Sequence, residues 1–382
     1  MINKEQYRGI RSWLYNVDKT TLSIAFFLIA FGFIMTISSS PSIASRIEVD
    51  RLFFIKKQAF FIAIAIPLMI TISFANISQI KKIGLIGITL SCFVLLIVLI
   101  FGSEAKGSKR WISIAGLSIQ PSEFAKTFFV VYNATLLSNV YSFHKGFIKR
   151  YLKSFLLIST LFLLIIMQPD LGMSLTFLAI WLVQIFCYGI PLFLFAVFVP
   201  IVSGVLLLAY NLFPHVKERI ITFLSSGSAK NYQVEKANDA FVNGSLIGNG
   251  PGNGIVKNFI PDAHTDFIFA VIGEEFGILS CLVLVLIFCY FIRHIFYKIL
   301  TEKDNFTYLC LIGLITEFTM QTVVNIGVSL NLLPTKGMTL PFISYGGSSM
   351  ISMSICFGLI LAFTKRNYHQ NIDYGNLKLI KN

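Results

Sequence analysis

The feature that most constrains this chain is a series of long apolar runs with no charged side chains. Residues 83–101 and 155–167 are two such runs. An uncharged stretch of about 18 or more residues is typical of a membrane-spanning helix. Strands of a membrane β-barrel would instead alternate apolar and polar residues. The pattern therefore predicts an all-α fold, a polytopic transmembrane helical bundle.

Composition agrees, because 55% of the residues are hydrophobic and only 13% are charged. A water-soluble domain carries about a quarter of charged residues. Counting roughly 20 apolar residues per crossing gives about ten spans. They are predicted at 20–39, 55–75, 83–101, 121–140, 152–168, 171–189, 191–213, 266–292, 307–329 and 339–364.

The distribution of Lys and Arg predicts the orientation of the spans. The net charge of +13 would suggest nucleic acid in a soluble protein. Here the basic residues gather in short loops, 17 on one side and 8 on the other, which favours cytoplasmic N- and C-termini and no nucleic-acid partner. We expect cytoplasmic tails at 1–19 and 365–382 and one membrane domain at 20–364. The domain includes a long non-cytoplasmic loop at 214–265, for which no regular structure is predicted.

Two opposite charges lie within the predicted fourth span. Glu123 and Lys126 are three residues apart and share one helix face, and the helix can begin at Pro121. Charges inside a membrane are costly, so they normally face a partner or a cavity. The pair either locks this span to its neighbours or lines a polar cavity in which Lys126 binds an anionic ligand.

A basic loop precedes that span and runs against the charge bias. It contains Lys106, Lys109, Arg110 and Trp111. Basic residues beside Trp often contact lipid headgroups. The alternative is an anion site, because Arg and Lys are the usual donors to phosphate or diphosphate.

The long loop ends in Ala263-His264-Thr265-Asp266, immediately before an apolar helix. Thr265 or Asp266 could cap that helix. Asp266 could also be a general base at the mouth of a membrane cavity. Further along, Glu274 could extend a polar track inward, and Glu317 could make an interhelical hydrogen bond.

Five motifs together resemble one known family, the SEDS proteins of shape, elongation, division and sporulation. The motifs, in chain order, are Gly107–Ile112, Gln120–Lys126, Gln168–Gly172, Ala263–Phe269 and Ser344–Ser348. Two further segments, Leu333–Pro341 and Gly273–Glu275, are more similar to the division member than to the elongation member. The sporulation member is very similar to the division member. Two departures, Lys109 for the common Arg and Asp262 for the common Glu, keep the charge.

This resemblance implies a peptidoglycan glycosyltransferase, a hexosyltransferase that polymerises lipid II, an undecaprenyl-diphosphate disaccharide peptide. It implies a multi-pass protein of the bacterial cytoplasmic (inner) membrane, active at its outer face and at the division septum. The family's essential acid corresponds to Asp266, its loop Trp to Trp111, and its paired charges to Glu123 and Lys126. The expected partners are a class B penicillin-binding transpeptidase, other divisome proteins and membrane lipids.

The residues suit that chemistry. An attacking sugar hydroxyl must lose a proton, and Asp266 can accept it. The leaving diphosphate gains charge, which Lys109, Arg110 and Lys126 can balance. A divalent cation such as Mg²⁺ or Mn²⁺ could share that role, although no ligand set in the sequence proves it. Two other functions remain open, a lipid II flippase and a non-catalytic scaffold that recruits the transpeptidase.

Overall fold

The structure is a computed structural model that describes residues 10–105, 108–114, 116–138, 147–189, 232–335 and 337–365, with single positions at 204, 210, 211, 217 and 221. In the described ranges, eleven α-helices have the following bounds: α1 Ile10–Asn16, α2 Lys19–Arg46, α3 Phe53–Ser73, α4 Ile77–Phe101, α5 Pro121–Ser138, α6 Phe147–Ile166, α7 Leu171–Tyr188, α8 Tyr232–Gly244, α9 Ile268–Leu300, α10 Asn305–Ser329 and α11 Gly347–Phe363. The helical bundle predicted from the apolar runs is confirmed.

Nine of the ten predicted spans coincide with helices, namely α2 to α7 and α9 to α11. The seventh, 191–213, lies outside the described ranges. Among the helices that the structure describes, six are long and apolar enough by themselves to cross a membrane: α2, α3, α4, α7, α9 and α10. The total of ten spans stays a prediction.

Polar residues fix the beginnings of several helices. Asn76 caps α4, and its partner Gln79 completes a capping box. Asp170 accepts a hydrogen bond from the backbone N of Met173 at 3.0 Å and so caps α7. Pro121 occupies the first position of α5, as predicted.

The last span and the long loop differ from their predictions. The last helix begins at Gly347 rather than near 339, because the segment before it contains Pro341 and Phe342, whose φ is +62°. The loop at 214–265 is not structureless, since its described part contains α8 and a 3₁₀ turn at Val256–Phe259. Residues 232–265 of the long loop are therefore folded, and we call them the loop module.

A three-stranded antiparallel sheet joins α4 to α5, so the fold is not purely helical. Its strands are β1 Ser103–Ala105, β2 Ser108–Ile114 and β3 Leu117–Ile119. The backbone N of Gln120, which follows β3, donates to Ser348 Oγ of α11 at 2.9 Å. The sheet therefore sits against the start of α11.

The connections between helices define the two ends of the bundle. Asp18, before α2, contacts His294 and Lys298 near the end of α9. The opposite end carries the sheet, α8, the turn before α9 and the segments 330–335 and 337–346. We call this opposite end the loop end.

Candidate active site at the loop end

Asp266 lies in a tight turn that leads into α9. The backbone N atoms of Thr265 and Asp266 donate to the carbonyl oxygen of Asp262 at 3.0 and 3.1 Å. The N-cap residue of α9 is Phe267, and Thr265 Oγ1 donates to the Asp262 carbonyl instead of accepting from the helix. The prediction that Thr265 or Asp266 occupies the cap position is wrong.

Three consecutive carbonyl groups hold this turn to its neighbours. The His264 carbonyl accepts from the backbone N of Tyr345 at 2.8 Å, and the Thr265 carbonyl accepts from Ser344 Oγ at 2.5 Å. The Asp266 carbonyl accepts from Asn325 Nδ2 at 2.9 Å. The main chain that carries the Asp266 carboxylate is therefore fixed by α10 and by the segment before α11.

Aromatic rings fix the other face of the turn. The His264 ring lies 4.7 Å from Phe54 of α3 and 5.0 Å from Tyr345, measured between centroids. Burial lowers the pKa of His264 to about 4, although the negative charge of Asp262 opposes the shift. His264 is therefore neutral near pH 7 and adds no positive charge beside Asp266.

The carboxylate of Asp266 faces a second loop that crosses the site. A Cβ atom placed on Gly337 would lie 3.3 Å from Asp266 Oδ2, and Gly337 has a φ of +71°. A residue other than glycine would be strained here and would crowd the carboxylate. The Asp266 side chain is half-buried, whereas Phe267 to Ala270 after it are buried. Asp266 therefore lies at the boundary between the core and the loop end.

A polar stripe on α10 links this turn to the middle of the bundle. Glu317, Gln321 and Asn325 are spaced four residues apart and share one face. Asn325 Nδ2 also donates to the Met338 carbonyl at 2.6 Å, and Gln321 Nε2 donates to the Thr339 carbonyl at 3.1 Å. Sequence reasoning missed the roles of Gln321 and Asn325, although their spacing inside an apolar span was a visible signal.

The stripe ends at the predicted charge pair. Lys126 Nζ lies 2.8 Å from Glu123 Oε2 and 3.0 Å from Gln321 Oε1, and Lys126 has no exposed surface. Glu317 accepts from Thr127 Oγ1 at 3.0 Å, which confirms the predicted interhelical hydrogen bond. In this conformation the pair joins α5 to α10, as the ion-pair interpretation expects.

Lys106 of the basic loop lies outside the described residues, and the rest of the loop, from Ser108, belongs to β2, where the charges have different surroundings. Lys109 is exposed. Arg110 Nη1 lies 3.0 Å from Asp170 Oδ2, and Arg110 Nη2 donates to Ser108 Oγ at 3.0 Å. Trp111 is half-buried, and its carbonyl accepts from Ser103 Oγ. Because Asp170 already balances the charge of Arg110, Lys109 is the more available of the two cations.

Glu274 does not extend a polar track, contrary to the prediction. Its Oε1 accepts from Asn243 Nδ2 and from the backbone N atoms of Ile255 and Val256, and its Oε2 accepts from the backbone N of Lys257. The next residue, Glu275, is paired with Lys257 Nζ and accepts from Ser38 Oγ of α2. These two carboxylates hold the loop module onto α9 and α2.

The described ranges contain no candidate cation site. No three His, Cys, Asp or Glu side chains there are close enough to hold a metal ion. The arrangement that remains is one half-buried carboxylate on a fixed turn, with an exposed cation on a sheet at the same end of the bundle.

The fold and this site define a multi-pass membrane protein with its polar chemistry at one end of the helices. Residues 19–369 match the family model described as cell cycle protein, which covers FtsW, RodA and SpoVE. The chain belongs to this family, and the resemblance drawn from the five motifs is confirmed.

Curated relatives cover most of the chain. Three of them are named probable peptidoglycan glycosyltransferase FtsW. The one from Caulobacter vibrioides is 34% identical over 93% of this chain and 90% of its own length. Those from Buchnera aphidicola subsp. Baizongia pistaciae and Escherichia coli O157:H7 are 37% and 34% identical, over 90% of this chain in both cases and 92% and 85% of their own lengths.

Solved structures share the fold. A chain of a peptidoglycan synthase complex, described as coordinating polymerization and crosslinking, is 25% identical, with a TM-score of 0.77 over 93% of this chain and 99% of its own. The rod shape determining protein RodA of Thermus thermophilus is 24% identical, with a TM-score of 0.66 over 93% of this chain and 98% of its own.

Proposed function

We propose that this chain is a peptidoglycan glycosyltransferase that polymerises lipid II into glycan strands during septal cell-wall synthesis. Family membership and the names of the curated relatives support this reaction. The observation that carries the site assignment is the Asp266 turn, whose three carbonyls are fixed while the carboxylate stays half-buried at the loop end.

Asp266 is the proposed general base. The hydroxyl oxygen of the acceptor sugar forms a bond to the anomeric carbon of the donor, and the bond from that carbon to the diphosphate oxygen breaks. The hydroxyl proton passes to the Asp266 carboxylate. The bonding electron pair leaves with the undecaprenyl diphosphate. His264, within the turn, is neutral and therefore forms no ion pair with the carboxylate.

The leaving diphosphate needs positive charge as the bond breaks. We assign this role first to Lys109, because it is exposed on β2. Trp111 lies in the same strand and is a further candidate for substrate contact. Arg110 is paired with Asp170 and fixes the strand against the turn before α7. It contacts the diphosphate only if that pair opens.

In this proposal, Glu123 and Lys126 hold the site in place from the interior of the bundle. Their contacts run through Gln321 to the segment at Thr339, next to the loop that faces Asp266. A direct contact between Lys126 and the substrate would require the bundle to open, because Lys126 is fully buried. We therefore treat the pair as positioning residues.

The orientation follows from the charge distribution. With both termini cytoplasmic, the loop end faces the outer side of the cytoplasmic membrane, where the site meets the headgroup of lipid II. A class B penicillin-binding transpeptidase is the proposed partner, since a chain with the same fold occurs in a synthase complex that couples polymerization and crosslinking. Other divisome proteins would direct the enzyme to the septum.

The decisive experiment incubates the purified chain, with and without its transpeptidase, with lipid II in proteoliposomes. The proposal expects glycan strands that lengthen with time. A flippase would move lipid II between leaflets without forming strands, and a scaffold would do neither. Localisation of a fluorescent fusion at the septum or along the side wall then distinguishes a division enzyme from an elongation enzyme.

A further inference from the structure

Helix α9 is broken at Gly277, where φ is +80° and ψ is 171°. Because these angles are not helical, the backbone N–H groups that follow Gly277 lose their regular acceptors within the helix. Instead, the backbone N atoms of Ile278 and Leu279 donate to the carbonyls of Ser245 and Leu246 at 3.0 and 3.3 Å. The loop module therefore supplies acceptors to the broken helix.

The turn also donates hydrogen bonds to α9. The carbonyls of Glu274 and Glu275 accept from the backbone N atoms of Asn249 and Gly250 at 3.1 and 2.9 Å. Four hydrogen bonds thus join the turn after α8 to the break. Unpaired backbone groups are costly near the membrane interior, so the turn completes this span.

The break lies close to a membrane boundary. Between Glu275 and Arg293 the sequence has no charged residue over 17 positions, 276–292. At a rise of about 1.5 Å per residue this segment is roughly 25 Å long, close to the hydrocarbon thickness of about 30 Å. Glu275 is therefore near the boundary on the loop side, and the turn joined to it is at the same depth.

Apolar side chains are exposed at the end of α8 and in the turn that follows it. Val242, Leu246 and Ile247 expose 81, 61 and 80% of their surface. The turn is hydrogen-bonded at Ser245 and Leu246 to the backbone of Ile278 and Leu279 on α9, whose exposed apolar side chains face lipid if α9 spans the membrane. One continuous apolar surface therefore extends from the span onto the loop module.

We propose that the turn Gly244–Gly248 inserts into the lipid bilayer, at the boundary between headgroups and acyl chains on the loop side. Continuity with the lipid-facing surface of α9 identifies the occupant as lipid rather than a protein partner. Moving exposed apolar side chains from water into this boundary lowers the free energy. The inference requires only that α9 spans a membrane, and it does not depend on the proposed reaction.

The test measures the depth of Ile247 directly. Ile247→Cys carries an environment-sensitive NBD label, in a variant whose native cysteines with exposed surface (Cys92, Cys187 and Cys289) are replaced by Ser. Nanodiscs contain phosphatidylethanolamine and phosphatidylglycerol, with or without doxyl-labelled phosphatidylcholine. Glu235→Cys, on the exposed face of α8, is the matched control.

The proposal expects blue-shifted emission and at least a twofold quenching at position 247 by lipids with a shallow doxyl group, with little quenching at position 235. Equal, weak quenching at both positions would overturn it. Emission at 247 that shifts only when the transpeptidase is added, without lipid quenching, would identify a protein-binding surface instead and would also overturn it. Ile247 has little packing to lose, so the label does not disturb the fold.

Discussion

Asp266 and Glu274 are two carboxylates only eight residues apart, yet their surroundings differ in kind. Glu274 is fully buried and accepts four hydrogen bonds, three of them from backbone N atoms. Asp266 is half-buried, and Asn325 of α10 holds its main chain in place. The first arrangement stabilises a structure, and the second leaves a carboxylate where a substrate can reach it.

The difference shows that the two carboxylates serve different purposes, one in the fold and one in the reaction. A carboxylate surrounded by fixed donors cannot move without leaving them unpaired. A general base must instead accept a proton during the reaction. Glu274 and Glu275 form a cluster that fixes the loop module, whereas the turn before α9 places Asp266 at the loop end.

The largest expected loss of stability comes from breaking the buried pair in this cluster. Lys257→Met leaves the Glu275 carboxylate buried without its cation, which costs about 3–5 kcal/mol. Thermal unfolding of the purified protein in detergent measures the effect. Lys236→Met is the matched control, because its partner Asp239 is about half exposed and such pairs contribute no more than about 1 kcal/mol. Equal shifts in both variants would mean that the cluster does not anchor the module.

A somewhat smaller effect depends on pH and concerns the Asp266 turn. Burial lowers the pKa of His264 to about 4 from 6.5. The unfolded chain therefore binds a proton below pH 6.5 that the folded protein excludes until about pH 4. Stability should fall by about 3 kcal/mol as the pH decreases across this interval.

Thermal unfolding at several pH values in that interval measures this dependence. His264→Phe keeps an aromatic ring between Phe54 and Tyr345 and removes the titrating group. Its unfolding temperature should therefore depend less on pH than that of the wild type. A pH dependence as steep as that of the wild type would show that another group is responsible.

The smallest expected effect concerns the cation on β2. Lys109→Ala should raise the KM for lipid II about fivefold, the size expected for one exposed charge contact, and leave the unfolding temperature unchanged. Lys56→Ala, which removes another exposed lysine at the loop end, is the control. If both variants have the wild-type KM, Lys109 does not contact the diphosphate.

The spans could be predicted because the cost of burying charge in a membrane marks apolar runs in the sequence itself. Nine predicted spans coincide with helices for this reason. The sheet between α4 and α5 was missed because its strands have three, seven and three residues, too short for a clear alternation. The helix in the long loop was missed because its polar composition resembles that of a loop.

The candidate site was predictable only in part. Asp266 was indicated by its position before an apolar helix and by the family motif. The pairing of Arg110 with Asp170 joins residues 60 positions apart, and that of Glu275 with Lys257 joins residues 18 positions apart. No local pattern encodes either contact, and the helical spacing of Gln321 and Asn325 did not reveal what they bind.

The central claim is that Asp266 acts in the chemistry whereas Glu274 acts in the fold, and one paired measurement tests it. Asp266→Asn and Glu274→Gln are assayed together for lipid II polymerisation and for thermal unfolding. The account predicts that Asp266→Asn unfolds at the wild-type temperature but polymerises lipid II at least about 100-fold more slowly. It predicts that Glu274→Gln unfolds at a lower temperature. Glycan synthesis at a near wild-type rate by a folded Asp266→Asn variant would contradict the account.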